Sequence, residues 1–265
     1  MGDYKDATSM DQALAGVDRL LLISSYPDQS VPRFTQHQNV INAAVHNQVK
    51  WLGYTSFFHA DRTQNPLAAD HLKTEQFITK TDLPHSFLRN NWYLENELPA
   101  LQAALTHQQP IVTTAGKQTI GWASERYYAQ AAANLLSNSE DELKFVYELT
   151  GTFHTYAELI KTVTNVTGQE VKLQQLLPAE FADWIKQQNW NAPTQQFFLN
   201  CQKLMRAGDL GPQEEQPAIQ MGMIHAEINQ SRSHYQDLPQ VLGRPLPSLT
   251  DQVRDLMTPK PGYLL

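Results

Sequence analysis

Apolar residues run unbroken from Leu20 to Ile23 and stop at Ser24 and Ser25, the pattern of a strand covered on both faces. A strand is expected over residues 19–24. Val40, Ile41 and Ala44 fall at helix-face spacing and predict a helix over 36–46. Residues 51–55 make a second strand, and Pro66 at a first helical position opens a helix to about residue 80. A third strand over 85–88 follows the Leu83-Pro84 break. Strands alternating with helices across short connections predict a parallel sheet. Ahead of it, residues 9–15 suit a short helix with Ser9 as N-cap and Gly16 as its stop.

Beyond Asn90 the rhythm changes. Helices are expected over 95–107 and, rich in alanine, over 125–136, with a strand over 145–149. A helix over 155–167 is closed by Gly168, and residues 111–114 and 171–176 are extended. From Pro178 the pattern is mostly helical, broken by a loop over 207–217, and a last helix starts from Ser248 or Thr250. The fold class is therefore α/β. An incomplete Rossmann-like, doubly wound parallel sheet is expected over 1–150. A smaller, mostly helical substrate lobe is expected over 151–265, with contributions from 91–125.

"Incomplete" has a definite meaning here. A dinucleotide fold places its glycine-rich phosphate turn one or two βα units before such a strand. Residues 1–16 leave room for a turn and one short helix, and no G-x-G-x-x-G occurs in the 265 residues.

Composition narrows the function classes. A net charge of -7 without a basic stripe argues against a nucleic-acid partner. One cysteine, Cys201, leaves no internal disulfide framework and fits a reducing compartment. No apolar run approaches the roughly 18 residues of a membrane span, and no secretory signal pattern is visible. A cytoplasmic protein without a membrane partner is expected. His59 and Asp61, or His225 and Glu227, lack a third ligand at metal spacing, so no metal site is expected.

Several stretches carry a resemblance. They are Gly16-Val-Asp-Arg-Leu-Leu-Leu-Ile-Ser-Ser25, Gln36-His-Gln-Asn-Val-Ile-Asn-Ala-Ala44, Tyr54-Thr-Ser56 and His71-Leu-Lys-Thr-Glu75. Leu88-Arg-Asn-Asn-Trp-Tyr-Leu-Glu-Asn96 and Leu242-Gly-Arg-Pro245 follow. In this order and spacing the chain resembles the NmrA-like family of atypical short-chain dehydrogenases/reductases, in its NAD(P)H:quinone oxidoreductase branch. The resemblance implies a reductase that passes hydride from NADPH or NADH to a quinone-like acceptor, and it allows a homodimer. The rival it also allows is a non-enzymatic dinucleotide-binding redox sensor. NADPH consumption separates the two.

Two departures bear on the chemistry. The family's first βαβ unit has no counterpart, so the expectation is a shortened chain that binds NADP or NAD poorly. The Tyr-x-x-x-Lys of ordinary short-chain dehydrogenases is also absent, with Leu67 and His71 standing at its two positions.

The resemblance and the strand ends together nominate the site. Ser24, Ser25, Thr55, Ser56 and Asn90 are the expected cofactor contacts, at the edge where such sheets bind ligand. Asn91, Trp92 and Tyr93, two rings beside an amide, are expected to hold a flat substrate. His71 and Tyr54 are the catalytic candidates. Glu75, four residues from His71 on one helix face, is expected to favour its protonated form and make it an acid.

Overall fold

A computed structural model describes residues 1–26, 30–138, 143–213 and 234–258. In chain order its first half holds α1 (Ala7–Ala13), β1 (Arg19–Leu22), α2 (Arg33–His46), β2 (Trp51–Phe57), α3 (Pro66–Ile78), β3 (His85–Asn90), α4 (Leu98–His107), β4 (Ile111–Thr113) and β5 (Thr119–Gly121). The second half holds α5 (Glu125–Ser137), β6 (Val146–Leu149), β7 (Phe153–Thr155), α6 (Tyr156–Thr167), β8 (Leu173–Gln175), α7 (Pro178–Lys186), α8 (Ala192–Ala207), α9 (Asp237–Leu242) and α10 (Leu249–Met257). These elements form two compact units. The first takes residues 1–90, 128–149 and 241–243; the second takes 91–127, 150–240 and 244–265.

Unit one is a four-stranded parallel sheet in the order β1-β2-β3-β6. The sheet-and-helix arrangement is Rossmann-like. Met10, Leu14, Val40, Ile41, Ala44 and Ile78 from α1, α2 and α3 pack with Leu22, Leu52 and Tyr54 of the strands in one buried core. Arg19 looks misplaced in an apolar strand, yet its guanidinium bonds the carbonyls of Leu135 and Leu136 at 2.9 and 2.8 Å. A cation there offsets the negative end of α5, and it lies 4.4 Å from the centre of the Trp51 ring.

Local signals are mostly obeyed. Asn65 caps α3 with Pro66 in the first turn. Thr155 and Glu158 form a reciprocal capping box on α6, which Gly168 ends at φ 69°. Ser248, rather than Thr250, caps α10. One cap differs: Asp6, not Ser9, accepts the free N–H groups of α1, because a carboxylate one turn earlier is already placed to do so. Residues 207–213 of the expected loop follow the end of α8, and 214–217 lie outside the described residues.

Unit two carries short strands. β4 pairs with β8 in parallel and β5 with β7 antiparallel, and α6 packs on α10. Backbones approach closely where β5 turns back. A Cβ on Gly121 would sit 1.9 Å from Thr150 Oγ1, and one on Gly151 would sit 1.7 Å from the Trp122 carbonyl oxygen.

Gly151→Ala is therefore expected to lower the unfolding free energy by about 3 kcal/mol, since backbone rather than a flexible side chain must yield. Urea denaturation measures this, and a loss below about 0.5 kcal/mol contradicts the close approach.

Candidate active site

The parallel register brings the carboxyl ends of β1, β2, β3 and β6 to one edge of unit one, with Leu22, Phe57, Asn90 and Leu149 as the last strand residues. The Ser24 N–H donates to Thr55 Oγ1 at 2.8 Å, so two expected cofactor residues meet there, both half-buried. The Ser25 N–H donates to His37 Nε2 at 3.0 Å, and Arg33 Nε donates to the Ser25 carbonyl at 2.5 Å. The backbone leaving β1 is thus braced by the first turns of α2. Neither Arg33 nor His37 stood among the expected site residues; the only signal was His37 inside the Gln36-to-Ala44 stretch.

Those bonds fix protonation. His37 Nε2 accepts from a backbone N–H, so Nδ1 carries the proton and donates to Thr74 Oγ1 at 2.9 Å. Thr74 passes its own proton to the Asp70 carbonyl at 2.7 Å. His71 repeats the logic: Arg33 can only donate, so Nε2 accepts at 3.4 Å and Nδ1–H donates to Tyr54 Oη at 3.1 Å. Burial, then the nearby Arg33 charge, lowers His37 to about 4 and His71 to about 3.

This corrects the catalytic expectation. His71 is a neutral imidazole braced by a cation, not an acid made by Glu75. Tyr54 is wholly buried, and burial holds its hydroxyl well above the ordinary tyrosine range. Glu75 is engaged elsewhere, accepting two bonds from Arg89 at 2.9 and 2.7 Å. Arg89 also reaches Glu148 at 2.9 Å and Asp61 at 2.7 Å. Burial pushes the Glu148 carboxyl up to about 7 against the pull of Arg89.

Strand alternation corrects a second expectation. Tyr54 and Ser56 both bond side chains of α3, so they point to the same face, and Thr55 does not. The Ser56 hydroxyl donates to Glu75 at 2.5 Å and is buried, which leaves half-buried Thr55 as the hydroxyl of the three that does not bond α3. Asn90 closes β3, buried, its carbonyl accepting the Phe58 N–H at 3.0 Å.

In unit two, Asn91 is consumed by structure. Its amide donates to Thr150 Oγ1 and the Leu210 carbonyl at 2.9 and 3.0 Å, and its oxygen accepts the Trp92 N–H at 2.7 Å. Both of its donors are used and its oxygen accepts from Trp92, so Asn91 braces the chain at Trp92, a structural part that its expected place at the substrate did not foresee. Trp92 and Tyr93 keep half-exposed rings. Trp92 Nε1 donates to Glu97 at 3.1 Å, a buried partner the sequence did not single out. Cys201 is buried, and burial pushes its thiol up to about 12. Among the described residues no group of three His, Cys, Asp or Glu could hold a metal; His225 and Glu227 lie outside them.

These shifts make the stability of the fold depend on pH. Unfolded histidine titrates near 6.5, while the native chain keeps His37 and His71 neutral down to about 4 and 3. Below pH 6.5 they lend the unfolded state two extra protons. Glu148 has the opposite sign, since the native chain holds its proton up to about 7 and an ordinary carboxyl loses it near 4.5. Between about pH 4.5 and 6.5 the two histidine protons oppose those of Glu148, Glu97 and Glu125, whose carboxyls burial raises. The histidine share is isolated by comparison: His37→Gln, which does not titrate, is expected to lose less stability on acidification than the wild-type chain. Urea denaturation at stepped pH reads this directly; parallel profiles for the two chains contradict the neutral assignment.

No family model matches the chain. It is 40% identical over 185 residues to quinone oxidoreductase 2 of Escherichia coli K12, spanning 69% of this chain and 63% of that protein. An NmrA-like family domain-containing oxidoreductase of Aspergillus flavus is 28% identical over 216 residues, 79% of this chain and 69% of that one. Among solved structures, NADPH-dependent quinone oxidoreductase QOR2 of E. coli, complexed with NADPH, matches with a TM-score of 0.82 and 32% identity. That match covers 97% of this chain and 83% of the other. Citrobacter triphenylmethane reductase complexed with NADP(H) matches with a TM-score of 0.79 and 28% identity over 97% and 82%. The chain spans less than two thirds of the length of the E. coli curated relative. With a parallel sheet of the expected order and a match to QOR2 along nearly its whole length, it belongs to the NmrA-like family, in the quinone oxidoreductase-type branch.

Proposed function

We propose that this protein is an NADPH-dependent reductase of quinone-like acceptors. The observation that carries the proposal is the braced carboxyl edge of the sheet, within a chain whose NADPH-complexed relative matches 97% of it. Half-exposed Ser24, Ser25 and Thr55 at that edge fit the ribose and carboxamide side of a nicotinamide cofactor, with Asn90 at the end of the neighbouring strand. NADPH, when bound, supplies the hydride.

The chain's own residues bind and position. Arg33 places a positive charge at the edge and has no carboxylate partner among the described residues, which suits an anionic ligand. His71, itself bonded to Tyr54, meets Arg33 from behind, and His37 holds the Ser25 backbone. In unit two, Trp92 and Tyr93 offer their half-exposed rings to the acceptor. Hydride addition leaves an oxyanion on a quinone, and with His71 neutral the proton that completes the hydroquinone comes from water.

NADPH oxidation followed at 340 nm with 1,4-naphthoquinone tests the proposal. Quinone-dependent oxidation is expected, and His37→Ala is expected to raise the KM for NADPH about tenfold, with a smaller change in kcat. Binding of NADPH without any quinone-dependent oxidation overturns the assignment. An unchanged KM in the variant removes His37 from the cofactor edge.

A further inference from the structure

Glu97 ends the 3-10 turn Leu94–Glu97 and is 7% exposed. Its Oε1 accepts Trp92 Nε1 at 3.1 Å, Trp122 Nε1 at 3.2 Å and the Tyr156 hydroxyl at 3.1 Å, and its Oε2 accepts that hydroxyl at 3.0 Å. Among the described residues no lysine or arginine pairs with it. An indole N–H can only donate, so the two tryptophans fit the ionised carboxylate. Ionised, the group is a buried negative charge satisfied by neutral donors, whose bonds lower its carboxyl against the burial that raises it.

Within this cluster Trp122 and Tyr156 are 1% and 3% exposed, whereas Trp92 is half-buried. Trp92 is also held along its backbone: its N–H goes to Asn91 Oδ1 at 2.7 Å, and its carbonyl accepts the Ala123 N–H at 3.4 Å. A carboxylate on the indole N–H pushes electron density into the ring. The ring face is then more negative, and it attracts cations and electron-poor rings more strongly.

We propose that Glu97 is a specificity-determining positioning residue, which fixes the Trp92 ring as an electron-rich platform and selects planar acceptors that are electron-poor or cationic. The inference rests on Trp92 as the acceptor-binding ring in the proposed reductase. It adds a discrimination that ring size and burial do not supply: an electron-rich or anionic molecule of the same shape is disfavoured.

Equilibrium dialysis without NADPH separates the two claims, with three planar two-ring probes: 1,4-naphthoquinone (electron-poor), N-methylquinolinium (cationic) and 1,4-dimethoxynaphthalene (electron-rich). The wild-type chain is expected to prefer the first two over the third. Glu97→Gln keeps the side-chain shape and removes the charge. It is expected to cut that preference about tenfold while binding of 1,4-dimethoxynaphthalene stays within about twofold. A residue that merely supported the fold would weaken all three alike. Trp92→Phe keeps a ring but severs the link to Glu97, so it is expected to lose the same preference, and it serves if Glu97→Gln does not fold. An unchanged preference in a folded variant overturns the role of Glu97. Undiminished binding of all three probes by Trp92→Leu instead overturns Trp92 as the acceptor ring, whatever Glu97 does.

Discussion

One buried guanidinium organises the sheet edge on which the candidate site stands. Arg89 lies on β3 and holds Glu75 of α3 by two bonds, Glu148 of β6, and Asp61 beyond β2. Glu75 in turn takes the hydroxyl of Ser56 on β2, and Glu148 takes the N–H of His59. Three strands and a helix are thus tied at their carboxyl ends through one side chain. Desolvating that charge is costly, and the two-bond contact with Glu75 is what offsets it. With the arginine gone, Glu75 and Glu148 would face each other in a buried space with the exposed Asp61 at its rim. The edge is rigid because the alternative is so unfavourable.

That constraint decides the chemistry of residues it does not touch. Glu75 belongs to Arg89, so among the described residues His71 has no carboxylate partner, and burial first, then its cationic neighbour Arg33, keeps it neutral. A neutral His71 can hold Arg33 and Tyr54 together, which a protonated ring could not do without repelling the guanidinium. His37 is neutral for the same reasons, and its fixed tautomer lets the Ser25 N–H donate to it. The result is a run of bonds from α3 through α2 to the end of β1 in which each donor has one acceptor. Such a run fixes geometry well and stores no proton for transfer, which favours a binding and orienting role.

Much of this was legible in the chain. The apolar runs of β1 and β2, the helix spacing of Val40, Ile41 and Ala44, and the caps at Asn65, Thr155 and Ser248 are local signals, and the parallel sheet follows from their order. What failed was choice among partners. Glu75 stands four residues from His71 on one helix face, the spacing of a surface pair. Arg89 is 14 residues away yet offers two parallel N–H groups, and the planar fork is the stronger competitor. Likewise Tyr54, Thr55 and Ser56 read as one hydroxyl cluster until strand alternation divides them. Asn91 resembles a ligand-facing amide, and only the meeting of distant Thr150 and Leu210 shows it to be an anchor. Glu97 sits beside Glu95 and Asn96 at the start of the helix expected over 95–107, and nothing local announces that two indoles and a phenol converge on it.

The two buried acidic clusters solve opposite problems. Around Arg89 the carboxylates outnumber the cation, and the excess is relieved at Glu148, whose carboxyl burial raises to about 7. Around Glu97 no lysine or arginine pairs among the described residues, and burial raises the carboxyl while bonds from Trp122, Tyr156 and Trp92 lower it. The first arrangement neutralises charge and leaves a stiff edge. The second keeps a negative field in an apolar setting and exports part of it through an indole that is not wholly covered. A charge that served only packing would be replaced at little cost by an apolar side chain. Its place beside a half-buried ring makes sense if the ring's electron density matters, and an acceptor of hydride is by its chemistry electron-poor.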